Sequence, residues 1–229
     1  MKMRSVILVF LVIFLAACAG DLLKPIPLAV EEKAKIRSSG AITVTMQKTI
    51  GFLFNTPSGA VVDAGLARWK DPSKAPNWAG INRMHKVPDF TESVRNKFIS
   101  ALKKKSRSYK FVAAKQREPH SYKQETDYVD KYKSKYVLEF RTQHGSFMYG
   151  ALSWKTYSLN YFGQARIIRV ADKQVVWKGN CSVSSKDNAL LQVPVADFIN
   201  GDGKQFKSAA AHVTSSCAKQ LLSSFLSGT

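Results

Sequence analysis

The chain has 229 residues, 45% of them apolar, with 35 Lys and Arg against 16 Asp and Glu and a net charge of +19. That apolar share excludes wholesale disorder, and the length fits one domain or one domain with an appendage. The charge excludes an electrostatically neutral surface and draws the chain to anionic partners such as phospholipid headgroups, acidic glycans, lipopolysaccharide or nucleic acid.

In chain order, Lys2 and Arg4 precede an apolar run from Val6 to Leu15, and Ala16 and Ala17 lead to Cys18. Charge, a short apolar core and small residues in that order describe a secretory signal peptide. A spanning helix needs about 20 apolar residues, and this run meets Gly20 and Asp21 first. The ending Leu15-Ala16-Ala17-Cys18 resembles the lipobox of bacterial lipoproteins. The resemblance implies that residues 1–17 are removed and that Cys18 carries a diacylglyceryl group on its sulfur, usually with a third acyl chain on its amine. Buried methylenes contribute about 0.8 kcal/mol each, so two or more chains make a stable anchor without a spanning helix. In that family an aspartate directly after the cysteine often retains the protein in the inner membrane. Here Ala19 follows, which implies the outer membrane, with the domain facing the periplasm. The mature chain keeps 33 basic against 16 acidic residues, a net +17. Secretion removes nucleic acid from the list of partners.

Pro25, Pro27 and the charged run Glu31-Glu32-Lys33-Ala34-Lys35 make residues 18–40 read as lipidated cysteine and tether. Residues 41–229 are then expected to form one periplasmic domain. Ala41–Met46 alternates and is β-branched, which suits a strand, and Ile50–Phe54 continues it or starts another. Asn55–Gly59 is turn chemistry. Ala60–Trp69 is apolar without a period that decides its state. Lys70–Pro88, with Pro72, Pro76, Pro88 and Gly80, reads as a long surface loop. Trp69 and Trp78 bracket its first half and either fold back to pack it or are exposed as partner contacts.

Asp89–Lys105 is the clearest helix. Asp89 can cap it, Glu92 stands three residues on, and Phe90, Val94, Phe98, Ala101 and Leu102 share one face. Its last turn bears Lys103, Lys104 and Lys105, which complement the helix dipole. With Arg107 and Lys110 they also form the best-defined candidate site for an anionic ligand. Tyr109–Ala114 reads as a strand, Pro119 to about Lys133 as a weaker helix, and Tyr136–Arg141 as an alternating strand. Gly145–Gly150 breaks the pattern, and its apolar tip, Phe147, Met148 and Tyr149, either plugs the core or is exposed to a partner. Trp154–Val170 and Val175–Val183 form an antiparallel hairpin across the turn at Asp172-Lys173-Gln174. A short helical stretch is expected over Val195–Ile199, a turn over Asn200–Gly203, and a terminal helix from about Lys204 to Leu226 with Phe206, Ala210, Val213, Cys217, Leu221 and Phe225 on one stripe.

With Cys18 assigned to lipid, Cys181 and Cys217 remain, and an oxidising periplasm favours one structural disulfide between them. It would staple the last helix to the last strand. His85, His120, His144 and His212 show no metal-ligand spacing, and no phosphate-cradling loop or nucleophile elbow occurs. No metal, no cofactor and no enzymatic activity are therefore expected.

The element order gives an α+β fold: helices, the C-terminal one included, on one face of a mainly antiparallel sheet, or a mixed one if the first strands run parallel. The lipobox, the strand Tyr136–Phe140 and the turn before Val175-Val176-Trp177 resemble anticodon-binding-domain-like envelope lipoproteins, curli-secretion-type lipoproteins among them, over Ala41–Leu226. The long loop after Trp69 departs from that pattern. The expected function is a membrane-anchored, non-enzymatic accessory or scaffold in an envelope assembly. The alternative is a module that binds an anionic lipid, lipopolysaccharide or cell-wall glycan. A carrier needs a sizeable apolar cavity, whereas a scaffold presents a surface patch over a closed core.

Overall fold

The computed structural model describes residues 24–47, 53–55, 61–63, 86–114, 126–150, 153–186, 188–194, 196–197 and 202–227. Among the described residues the helices are α1 (Val30–Ser38), α2 (Phe90–Lys105) and α3 (Lys204–Leu226). The strands are β1 (Ala41–Met46), β2 (Leu53–Asn55), β3 (Val61–Asp63), β4 (Lys110–Ala113), β5 (Tyr136–Gly150), β6 (Ser153–Arg169), β7 (Gln174–Val183) and β8 (Gln192–Pro194).

The long hairpin β5–β6 is the spine. On the far side of β5, β1 pairs in parallel over Val137–Phe140 and β2 in parallel over Ser146–Phe147. β4 then adds in parallel to β1, and β3 antiparallel to β2. On the far side of β6, β7 and β8 pair antiparallel. The sheet is therefore mixed: antiparallel pairing dominates around β6, and three parallel ladders build the other half. The expectation of a mainly antiparallel sheet is right for only part of it.

Gly145–Gly150 does not break the strand. Opposite β6 the register shifts between Thr142 and His144, so Gln143 is an extra residue. Before this bulge Leu138, Phe140 and Thr142 face the helices; after it Gly145 and Phe147 do, one phase later. The break in alternation is a change of phase within one strand.

α2 starts where Asp89 Oδ1 accepts from the Glu92 N–H at 3.0 Å, satisfying one of the free donors at its N-terminus. It buries Phe90, Val94, Phe98 and Leu102. α3 buries Phe206, Val213, Cys217, Leu221 and Phe225 on the same face of the sheet. Between them and the strands lies a cluster of rings: Phe98 stands 5.4 Å from Phe140, 6.2 Å from Trp177 and 6.0 Å from Phe225, and Trp177 stands 5.2 Å from Phe225. Each such side chain contributes about 2–3 kcal/mol on burial. Lys97 ties the two helices together, its Nζ donating to Ala211 O, Thr214 Oγ1 and Ser215 Oγ at 2.6–3.1 Å. Cys181 of β7 and Cys217 of α3 form a disulfide with Cα atoms 5.0 Å apart, as expected.

The fold begins well before Ala41. Ile26 and Lys178 exchange backbone hydrogen bonds at 2.9 and 3.0 Å, so the expected tether is paired to β7 at that point. Leu28 is fully buried, and α1 buries Ile36 and Glu32. Residues 24–39 are an integral part of the domain. Two smaller expectations also change. The helix expected up to Lys133 is, among the described residues, one 3-10 turn over Asp127–Lys131. Ahead of the stretch at Val195–Ile199, of which only Ala196 and Asp197 are described, lie a 3-10 turn at Ala189–Leu191 and β8.

The free edge of β7 is closed twice. Ile26 occupies it at Lys178. Farther along, the Gln220 side chain of α3 takes the place of a strand: its Nε2 donates to Ser182 O and its Oε1 accepts from Ser182 N, both at 3.0 Å.

Candidate functional site

At the end of α2 the buried stripe stops at Leu102, which leaves Lys103, Lys104 and Lys105 exposed. Ser106 is extended and turns the chain, and Tyr109 is buried again, so Arg107 and Lys110 are held at the surface around it. Lys110 opens β4 opposite Ala41 of β1, which brings the end of α1 alongside. Arg37 of α1 lies over the Tyr109 ring at 5.5 Å, and its Nε donates to the Tyr109 hydroxyl at 3.1 Å. The end of α2 and the turn after it thus carry Lys103, Lys104, Lys105 and Arg107, Arg37 joins them beside Tyr109, and Lys110, alternating with Tyr109 and Phe111, stands on the other face of β4. Sequence reasoning left Arg37 in the tether; the pairing of Ile26 that folds this segment back leaves no local signal.

What marks this end is five positive charges within eight residues, from Lys103 to Lys110. Among the described residues no carboxylate pairs with Lys103, Lys104, Lys105, Arg107 or Lys110. Some cations elsewhere are compensated: Arg169 meets Glu32 at 3.0 Å and Asp172 at 2.8 Å, and Lys173 meets Asp130 at 2.7 Å. The hydrogen bond from Arg169 holds the Asp172 carboxyl below its usual range. Burial and a 2.7 Å hydrogen bond to Glu32 push the Tyr136 hydroxyl up to about 12.

The opposite face of the sheet carries a second polar group, and it is closed. Glu139 and Arg166 are 0% and 2% exposed, and Arg166 Nε donates to Glu139 Oε2 at 2.5 Å. The Tyr128 hydroxyl, from the 3-10 turn, donates to the other carboxylate oxygen. Burial and the Glu139 charge push that hydroxyl far above its ordinary range, with Arg166 pulling the other way. Farther along, Arg141 donates to Gln164, whose amide donates to Asn180 at 2.8 Å. These groups lock the strands and the 3-10 turn together, with Glu139, Arg141, Gln164 and Arg166 buried and Tyr128 and Asn180 half-buried at the margin. His212 Nε2 lies 2.9 Å from Asn188 Nδ2 and 3.3 Å from Ser216 Oγ, so one ring nitrogen is shared by two neighbours rather than set up to activate the serine. Among the described residues no group of three His, Cys, Asp or Glu is placed to hold a metal, and no helix is long and apolar enough to cross a membrane.

Phe147, expected as either plug or contact, is the plug: it is fully buried 5.6 Å from Phe206 and is no partner contact. Met148 is half-buried, and the Tyr149 side chain lies outside the described residues, as do Cys18, Trp69 and Trp78.

No family model matches the chain, and no curated protein matches it. Among solved structures it is similar to a protein of family DUF330 from Xanthomonas campestris, with 13% identity over 77% of this chain and 81% of that one and a TM-score of 0.37. It is similar to PelC from Paraburkholderia phytofirmans, a dodecamer, at 13% identity over 79% and 89% with a TM-score of 0.30. Lipoprotein GNA1162 from Neisseria meningitidis shows 11% identity over 73% and 99% with a TM-score of 0.32. Likeness this distant leaves function to be argued from the chain's own residues.

Proposed function

We propose that the chain is a lipoprotein of the bacterial envelope, acylated at Cys18 and facing the periplasm from the outer membrane. There it serves without catalysis as an accessory or scaffold in an envelope assembly. The leader ending in Leu15-Ala16-Ala17-Cys18 supports the anchor. The observation that supports a scaffold over a carrier is the filled space between sheet and helices, where Phe98, Phe140, Trp177 and Phe225 stand ring to ring. A carrier would need that space for its cargo. The uncompensated basic end favours the second reading, a surface module for an anionic lipid, lipopolysaccharide or cell-wall glycan.

Two measurements on the full-length protein separate these. Mass spectrometry of the N-terminal peptide should show acyl chains on Cys18 and the leader removed; an intact leader overturns the anchor. Retrieval from detergent-solubilised envelope at low and high salt should keep specific proteins at both. Retention of lipid or glycan alone, lost as salt screens the charge, would support the binding module. Nothing retained at either salt overturns both readings.

A further inference from the structure

The two outer edges of the sheet next to the helices are treated differently. The β7 edge is occupied by Ile26 and by the Gln220 side chain. β4 ends its side of the sheet, and among the described residues no strand pairs with its outer edge. The Ala114 N–H donates to Val44 O at 2.8 Å, and backbone groups alternate in direction along a parallel strand. The N–H and C=O groups of Phe111 and Ala113 therefore point away from β1. Val112 is 54% exposed, among the most exposed large apolar residues described, and shares its face of the strand with Lys110. Lys103, Lys104, Lys105 and Arg107 flank the start of the strand.

We infer that β4 is a strand-addition site whose occupant is an extended acidic segment of a partner protein. The inference rests on the scaffold reading and names the partner's recognition element. Backbone groups of Phe111 and Ala113 supply the affinity, and side chains on the exposed face set the specificity. The added strand places a carboxylate beside Lys110 and, two residues along, an apolar side chain beside Val112. A second copy of the chain does not fit, because pairing β4 with β4 would set two uncompensated basic ends together. A membrane surface would satisfy the charge and leave the outward peptide groups without use.

The test uses the full-length protein and a synthetic peptide of three Glu-Thr-Val-Thr repeats, which puts Glu and Val alternately on one face. The peptide should bind, with new hydrogen-exchange protection at Phe111 and Ala113. N-methylation at alternate positions removes its hydrogen bonds and keeps its charge, and should weaken binding by about tenfold or more. Ala113→Pro should do the same by removing an outward N–H. Val112→Glu, at an exposed site that does not threaten the fold, should weaken binding by repulsion. Lys104→Glu combined with Lys105→Glu should weaken it and flatten its salt dependence. Equal binding of the N-methylated peptide would overturn strand addition in favour of charge attraction alone. Phosphatidylglycerol vesicles that bind instead of the peptide would assign this end to the membrane. Peptide binding with no envelope protein retrieved would sink the scaffold reading and leave the edge site standing; retrieval that persists in Ala113→Pro and Val112→Glu would do the reverse.

Discussion

The β7 and β4 edges are made of the same backbone and end in opposite states. β7 is sealed by a backbone bridge from Ile26 and a side-chain amide from Gln220, and a disulfide from Cys181 to Cys217 holds α3 against it. β4 is four residues long, has an exposed valine, and is covered by no strand among the described residues. Exposed edges invite unwanted pairing, and proteins blunt them with short strands and lysines. Both devices are present at β4. The lysines repel another copy of this basic chain, and for the same reason they favour an acidic strand. Sealing serves stability, and guarding with charge leaves a selective opening.

The comparison predicts that changes at the sealed edge cost stability and changes at the open edge do not. The largest effect should come from Cys181→Ala with Cys217→Ala. The bond closes a loop with a sequence separation of 36, and its loss should lower the unfolding free energy by about 4 kcal/mol in the chain-entropy model. Urea unfolding with and without reductant checks it. Leu28→Ala should come next, at about 3 kcal/mol, because Leu28 of the returning segment is fully buried in the core. A change below about 0.5 kcal/mol in the same urea assay would show residues 24–39 to be a dispensable tether after all.

Why residues 24–39 look like a tether explains how much was legible. α2 and α3 are readable because their apolar residues recur on one stripe, and Asp89 with Glu92 marks a start. The β6–β7 hairpin is readable because alternation and the turn at Asp172 agree. α1 has no such stripe: it buries Ile36 and, against its chemistry, Glu32, which is held by Tyr136 and Arg169. Those partners are more than a hundred residues away, beyond any local pattern. Glu139 and Arg141 fail in the same way, since an alternating strand assigns them to solvent while Arg166, Gln164 and the 3-10 turn bury them. Phe147 is hidden by the bulge at Gln143, which changes phase without changing composition. The basic run from Lys103 to Lys110 is local in sequence, so it is legible; that no described strand pairs with the edge beside it depends on the whole sheet, which no run of residues encodes.

Alkaline pH probes the seams that α1 and α2 make with the sheet, where Tyr136 meets Glu32 and Tyr161 stacks on Phe90. Tyr136 and Tyr161 have hydroxyls pushed up to about 12, chiefly by burial. A raised pKa means the fold prefers the neutral phenol, so this stability is complete below the unfolded value of about 10 and lost as pH rises toward 12. Denaturant midpoints should be flat from neutral pH to about 10 and fall beyond it, and Tyr136→Phe should make the fall shallower. A fall already complete by pH 9 would place its cause elsewhere.

The smallest effects decide the comparison most directly. Gln220→Ala removes both hydrogen bonds to Ser182 and should cost about 1 kcal/mol. It should also make the Ser182 amide exchange faster, since nothing else described occupies that position. Val112→Thr keeps the β-branched shape at an exposed site and should change stability by no more than about 0.5 kcal/mol. If Val112→Thr proved as costly as Gln220→Ala, β4 would be covered as β7 is. If instead Gln220→Ala left stability untouched and gave the chain a second strand-addition site for the Glu-Thr-Val-Thr peptide, sealing at that position would serve selectivity alone, and the disulfide and Leu28 would account for the stability of that edge.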